Sequence, residues 1–196
     1  MFDLYLENDV YRLLKLGIPG QHNVENAVVA SAIATEVGVS ESDLRSALAS
    51  FKGVKRRFEY VVNQNDCVFI DDYAHHPTEL DAIIGATKQL YPNQKITGIF
   101  QPHLYSRTRD FMDEFAQGLS ALDEVILMDI YPARELPIEG VTSEVLLDKI
   151  ATSKSLLTRD EILNKVSNEK PNLLLTLGAG DIDTLVQPLK NQLIVA

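Results

Sequence analysis

Little in this sequence serves a disulfide, a membrane or a nucleic acid. Its 196 residues hold one cysteine, Cys67, inside the apolar run Cys67-Val68-Phe69-Ile70. No intrachain disulfide can form, and the thiol reads as a small buried hydrophobe. No apolar run approaches the roughly 20 residues of a membrane helix, and no basic stretch leading into an apolar one opens the chain. Neither membrane insertion nor a signal peptide is expected, and the expected compartment is the cytoplasm. Basic residues are outnumbered 18 to 28, for a formal net charge of −10. That balance argues against nucleic acid as a partner, because phosphate backbones are held chiefly by Lys and Arg clusters. Absent too is any Gly-x-x-x-x-Gly-Lys-Ser/Thr run, and with it the backbone cradle and lysine that hold nucleotide phosphates.

What is present is a core-forming composition, 45% hydrophobic and 23% charged, long enough for one ordinary domain and a fragment of another. Residues 2–5 and 11–16 read as two strands around the polar turn Glu7-Asn8-Asp9. An Ala/Val-rich helix runs from about Gln21 to Val37 and stops at Gly38; a second, capped by Ser40, runs through Ala49. The small residues Ala27, Ala30, Ser31 and Ala34 point to close packing against a neighbour. A hairpin and two helices make a poor independent core, so residues 1–53 read as the tail of a larger domain.

From Phe58 the pattern changes to strands alternating with helices, the mark of an α/β fold with a largely parallel sheet. Strands are expected at 58–62 and 67–70, pairing antiparallel, and at 96–100, 125–129, 155–157 and 173–177. Helices are expected at 78–90, 108–122, 143–150 and 159–168 and from Asp181 onward, with Phe111, Phe115 and Leu119 of the second facing the core at helical spacing.

Ligands of open α/β sheets gather beyond the carboxyl ends of the strands. The segments richest in His, Arg and Gly fall there: 71–77, 101–109, 131–135 and 178–181. In the first, Asp72 is suited to ribose hydroxyls or a hydrated Mg²⁺, and His75 or His76 to accepting a proton or binding an anion. The structural alternative is that Asp71 or Thr78 caps the following helix. In the second, His103, Ser106, Arg107 and Arg109 surround a helix start whose N–H groups favour an anion, and arginine matches a carboxylate bidentately. Lys55, Arg56 and Arg57 form another compact cationic point. The glycines of Gly178-Ala179-Gly180 admit close approach of a ligand or make a tight turn. A transition-metal centre built from Asp72, His75, His76 and His103 is disfavoured, because adjacent histidines of a tight loop rarely face one ion; no metal ligands are assigned.

Taken in order, Gly20-Gln21-His22-Asn23-Val24-Glu25-Asn26, Arg56-Arg57-Phe58-Glu59, Asp71-Asp72-Tyr73-Ala74-His75-His76-Pro77-Thr78-Glu79, Gln101-Pro102-His103, Ser106-Arg107-Thr108-Arg109, Tyr131-Pro132-Ala133-Arg134-Glu135 and Gly178-Ala179-Gly180-Asp181-Ile182 resemble the Mur ligases. These are ATP-dependent amide-forming enzymes of peptidoglycan synthesis. The match spans nearly the whole chain and is closest to the member that joins L-alanine to UDP-N-acetylmuramate. The resemblance implies that residues 1–53 end a central ATPase domain and that residues 54–196 form the Rossmann-like C-terminal domain. The missing N-terminal and central domains would be its partners, and ATP with Mg²⁺ its cofactors. It also implies that His22, Asn23 and Asn26 lie at the adenine and ribose side, that Arg57 reaches the ATP phosphates and that Asp72 contacts the ribose. Tyr73, His75, His103 and Arg107 would face L-alanine. Leu104 stands where some members carry an arginine, which leaves Arg109 as a further candidate for the amino-acid carboxylate. Catalysis is then expected from Arg57 and from His75 or His76 as acceptor of the amine proton, with no ligation by the chain alone. Two rivals are a ligase that attaches a tripeptide to the same sugar acid, and a Rossmann-type nucleotide-binding module without ligase chemistry. The latter calls for Gly-x-Gly-x-x-Gly after the first strand, whereas the glycine pair here follows the last.

Overall fold

In a computed structural model, described for residues 1–7 and 9–194 and without the His22 side chain, the chain forms two compact units that divide between Phe58 and Glu59. Asn8 of the expected turn lies outside the described residues.

The first unit opens with the expected hairpin, β1 (Phe2–Tyr5) antiparallel to β2 (Val10–Leu14). β2 ends two residues early. Phe2 pairs with Leu14 but Leu4 with Tyr11, so β2 carries one extra residue. Leu13 takes φ 56° there and donates its N–H to Asp3 Oδ1 at 2.7 Å, a bulge that spends the strand's regularity. Helix α1 (Gln21–Glu36) stops where Gly38 turns left-handed at φ 85°, with Val39 N–H returning to the Ala34 carbonyl. Helix α2 (Glu41–Ser50) starts at Ser40, whose Oγ accepts the Asp43 N–H. Leu4, Leu14 and Leu44 are the buried centre of this unit. Of the small residues on α1, Ala27 and Ser31 are buried as expected, whereas Ala30 is exposed.

The second unit is an α/β sandwich around a six-stranded sheet of order β3-β4-β8-β5-β6-β7. β3 (Glu59–Asn63) runs antiparallel to β4 (Val68–Asp72). β4, β5 (Ile96–Phe100), β6 (Glu124–Leu127), β7 (Ser153–Leu156) and β8 (Leu173–Leu177) are mutually parallel. Every residue of β4, β5, β6 and β8 is buried, which is why these strands read as apolar runs rather than alternating ones. Helices α7 (Arg159–Glu169) and α8 (Asp183–Ile194) cover one face, bringing Ile162, Val166, Leu185 and Leu189 onto Phe69, Ile99, Ile126 and Leu174. On the other face α3 (Pro77–Leu90) packs on α5 (Met112–Leu119), and α5 packs on α6 (Ser143–Lys149). There the Phe115 ring meets Phe100 at 5.5 Å.

Two expectations need correction. The helix expected over residues 108–122 is two pieces, α4 (Tyr105–Asp110) and α5, broken at Phe111 with φ −123°. Phe111 is not core: its half-exposed ring packs edge-on against His76 at 4.7 Å. Such a contact lies outside the stripe occupied by Phe115 and Leu119.

The last strand of the chain, β8, lies between the first two parallel strands. Asp72 of β4 and Phe100 of β5 both pair in register with Leu177. Three segments more than twenty residues apart in sequence therefore leave the sheet side by side.

At the opposite end, Glu124 is buried beneath Lys95 Nζ and Lys165 Nζ, each 2.9 Å from its carboxylate. Burial alone would raise its pKa, but the hydrogen bonds and charges of Lys95 and Lys165 outweigh it and hold the group below the ordinary 4.5. The stabilisation is thus full above that value and fades as pH falls through the lower folded-state pKa. Glu124→Gln is expected to cost about 1–3 kcal/mol in urea denaturation at pH 7. The deficit should shrink as pH falls below 4.5.

Candidate active site at the strand ends

Asp71 and Asp72 belong to the last two positions of β4, so the polar loop begins after them. The two carboxylates point to opposite sides of the sheet, as successive strand residues must. Asp71 is 1% exposed and accepts the Thr176 hydroxyl of its register partner on β8 at 2.6 Å. Asp72 Oδ1 accepts the Ala74 N–H at 2.8 Å, a local turn that lifts the chain out of the sheet.

Beyond it the loop folds around Glu79. Glu79 Oε2 accepts the main-chain N–H of His75 at 2.9 Å and that of His76 at 3.2 Å. His76 is the N-cap of α3: its Nδ1 accepts the Thr78 N–H at 3.4 Å, and Glu79 closes the reciprocal half of the capping box. The cap is therefore neither Asp71 nor Thr78. His75 Nδ1 lies 2.9 Å from the Tyr73 carbonyl oxygen and 3.3 Å from Glu79 Oε2, and its ring meets Tyr73 edge-on at 5.1 Å.

His103 faces this loop across 6.0 Å between ring centres with His75, and stacks on Tyr131 at 5.6 Å. Parallel bridging of His103 and Tyr131, closed by Tyr131 N–H to the Pro102 carbonyl and Leu104 N–H to the Tyr131 carbonyl, builds that stack into the backbone. Arg107 Nη1 points at His103 Nδ1, 3.3 Å away. A guanidinium has only donors, so Nδ1 is the accepting nitrogen and the neutral ring carries its proton on Nε2. Burial first, then the Arg107 charge and His75, lower the His103 pKa below the ordinary histidine value, keeping the ring neutral at physiological pH. Arg107 is half-buried, and no carboxylate pairs with it among the described residues.

The anion expected at the start of the second loop's helix is already supplied by the chain. Glu135 accepts Ser106 N–H at 2.9 Å and the Ser106 hydroxyl at 2.5 Å, which hold its carboxyl below the usual range. Arg109 is exposed and paired with Asp110 at 2.8 Å.

At the β8–α8 turn, Gln101 donates from Nε2 to Asp181 Oδ1 at 2.7 Å and accepts the Ile182 N–H on Oε1 at 2.9 Å. The glycines make room for this clamp: a Cβ on Gly178 would stand 2.7 Å from the Gln101 carbonyl oxygen, and one on Gly180 would stand 2.7 Å from Tyr131 Cβ. Of the two uses open to the glycine pair, the structure shows the tight turn.

Among residues of the first unit, Asn23 Nδ2 donates to the Pro19 carbonyl at 2.6 Å and Asn26 is exposed on α1. The His22 side chain lies outside the described residues. Arg57 sits on a turn between two left-handed residues, Arg56 at φ 59° and Phe58 at φ 49°. Among the described residues no group of three or more His, Cys, Asp or Glu is arranged to hold a metal ion.

The structure thus brings Asp72, Tyr73, His75, His76, His103 and Arg107 to one end of one sheet. It adds Glu79, Gln101, Tyr131, Glu135 and Thr176, to which no role was assigned from sequence. Glu79 was findable, three residues beyond a cap position at capping-box spacing. Glu135 and Thr176 carry no local signal, because their partners lie 29 and 105 residues away.

Residues 56–180 match the family described as Mur ligase, glutamate ligase domain. The UDP-N-acetylmuramate–L-alanine ligase of Christiangramia forsetii is 49% identical over 195 residues, covering 99% of this chain and 43% of the relative. That of Porphyromonas gingivalis W83 is 56% identical over 182 residues, covering 92% and 40%. Among solved structures, the UDP-N-acetylmuramate–alanine ligase of Thermotoga maritima superposes with a TM-score of 0.76 at 30% identity, over 91% of this chain and 39% of that one. A murein peptide ligase of Psychrobacter arcticus does so with a TM-score of 0.64 at 28% identity, over 93% and 39%. The chain spans about two-fifths of the length of these relatives.

Proposed function

Because this chain belongs to the Mur ligase family, we propose that it is the C-terminal part of an ATP-dependent ligase that joins L-alanine to UDP-N-acetylmuramate in the cytoplasm, during peptidoglycan synthesis. The observation that carries the reading is Arg107: a half-buried cation at the strand ends, beside a neutral imidazole and with no carboxylate partner among the described residues. Such a group suits the carboxylate of a free amino acid. Support for alanine comes from curated relatives at 45–56% identity that carry that activity in their names.

A carboxylate is a poor electrophile, and ATP supplies the phosphoryl group that makes it an acyl phosphate. Residues of this chain bind and orient. Arg107 holds the alanine carboxylate, and the His103 Nε2–H and Tyr73 line the same end of the sheet. The Asp72 carboxylate fits as acceptor for ribose hydroxyls. In the first unit Arg57 serves the phosphates, and His22, Asn23 and Asn26 the adenine and ribose side. The phosphate cradle and the Mg²⁺ site come from a part of the enzyme outside this chain, since no Gly-x-x-x-x-Gly-Lys-Ser/Thr run occurs here. The test is phosphate release from ATP. Extended to the full length of its relatives, the protein is expected to release phosphate only when L-alanine and UDP-N-acetylmuramate are both present. The 196-residue chain alone is expected to release none; turnover by the chain alone would contradict the reading.

A further inference from the structure

The three histidines at the strand ends differ in the one respect that decides which can take a proton: where the neutral ring keeps its lone pair. His75 Nδ1 faces two acceptors, the Tyr73 carbonyl at 2.9 Å and Glu79 Oε2 at 3.3 Å. A lone pair there would oppose two oxygens, so Nδ1 carries the hydrogen and Nε2 the lone pair. His76 is the reverse. Its Nδ1 accepts the Thr78 N–H as the helix cap, which puts the hydrogen on Nε2. His103 is also the reverse, because Nδ1 faces the all-donor Arg107 guanidinium. Of these three, His75 alone has an accepting Nε2.

From this geometry we infer that His75 Nε2 is the acceptor of the amine proton and that Glu79 is the residue that positions it. The inference rests on the ligase reading. The amino acid arrives as an ammonium. One N–H bond breaks, its proton joins the Nε2 lone pair, and the products are a neutral amine and an imidazolium carrying hydrogens on both nitrogens. The freed nitrogen lone pair is the nucleophile for the activated carboxyl carbon. The imidazolium is stabilised by the oxygens already on Nδ1, the Tyr73 carbonyl and the Glu79 carboxylate. The other groups facing it are the Tyr73 ring at 5.1 Å and His103 at 6.0 Å, the latter neutral with Arg107 behind it. Glu79 acts twice with one oxygen: it holds the main-chain N–H groups of His75 and His76, and it sits beside Nδ1.

Three measurements test this. In the ¹⁵N-labelled 196-residue chain at pH 7.5, long-range ¹H–¹⁵N correlations are expected to show the Nδ1–H tautomer for His75 and the Nε2–H tautomer for His76 and His103. An Nε2–H tautomer at His75 would overturn the assignment. In the protein extended to full length, His75→Ala is expected to lower kcat about 100-fold. Raising the pH by one unit should restore about tenfold, because the free-amine fraction of alanine then rises tenfold. A loss that pH does not relieve would overturn the role. Glu79→Gln keeps an acceptor for both N–H groups but loses the charge; it is expected to lower kcat about tenfold with KM for alanine changed less than twofold. A rise in KM with unchanged kcat would contradict the positioning role. Ring tautomers are read without ligation, so failure there is separable from failure of the alanine reading, which would appear as absent phosphate release in the unmutated enzyme.

Discussion

Gly178→Ala is expected to cost about 2–4 kcal/mol of stability and to disorder the β8–α8 turn. Gly178 has φ 139°, a conformation that residues with a Cβ rarely adopt, and an added Cβ would stand 2.7 Å from the Gln101 carbonyl oxygen. That oxygen cannot retreat cheaply. Gln101 N–H is fastened to the Leu177 carbonyl at 3.0 Å, and Gly178 N–H to the Asp72 carbonyl at 3.3 Å. Relief therefore means separating the ends of β4, β5 and β8, where the candidate site is assembled. Urea denaturation followed by circular dichroism would measure the loss. A variant with an unchanged midpoint would show that the turn is not clamped as described.

Arg107→Ala is expected to raise KM for alanine about 30-fold or more in the extended enzyme, while the protein stays folded. A hydrogen bond to a charged group contributes about 1.5–3 kcal/mol, equivalent to roughly 10- to 150-fold. Arg107 has no structural ion pair among the described residues whose loss would unfold α4. Arg107→Lys keeps the charge but not the planar fork, so it should recover only part of the affinity. Steady-state kinetics with alanine varied at saturating ATP would read both. An unchanged KM in Arg107→Ala would remove the carboxylate from this site.

Local signals carried most of the elements and few of the contacts. The apolar runs at 67–70, 96–100 and 173–177 announce buried parallel strands, and the structure has them to within two residues. Ser40 was legible as a cap because its bond reaches only to Asp43. The strand order was not. That β8 inserts between β4 and β5 depends on which faces pack, and nothing local to Leu173–Leu177 records it. Side-chain partnerships that depend on this order were hidden for the same reason: Gln101 with Asp181, and Asp71 with Thr176. The occupant of the second loop's helix start was hidden likewise, because Glu135 lies 29 residues from Ser106. His76 is the instructive case. Two adjacent histidines in a polar loop look equivalent in sequence, and only the path of the chain into α3 makes one a cap and leaves the other facing His103.

The central claim, that this chain serves alanine ligation, is tested most directly by comparing kcat/KM for two amine substrates in the protein extended to its relatives' full length. The substrates are L-alanine and a muramyl-type tripeptide, with ATP, Mg²⁺ and UDP-N-acetylmuramate present and the ligated product detected by mass spectrometry. The account predicts the alanine adduct and a preference for alanine of at least about 100-fold, equivalent to roughly 2.7 kcal/mol. Ligation of the tripeptide in preference to alanine, or ATP consumption with no alanine adduct, would contradict it.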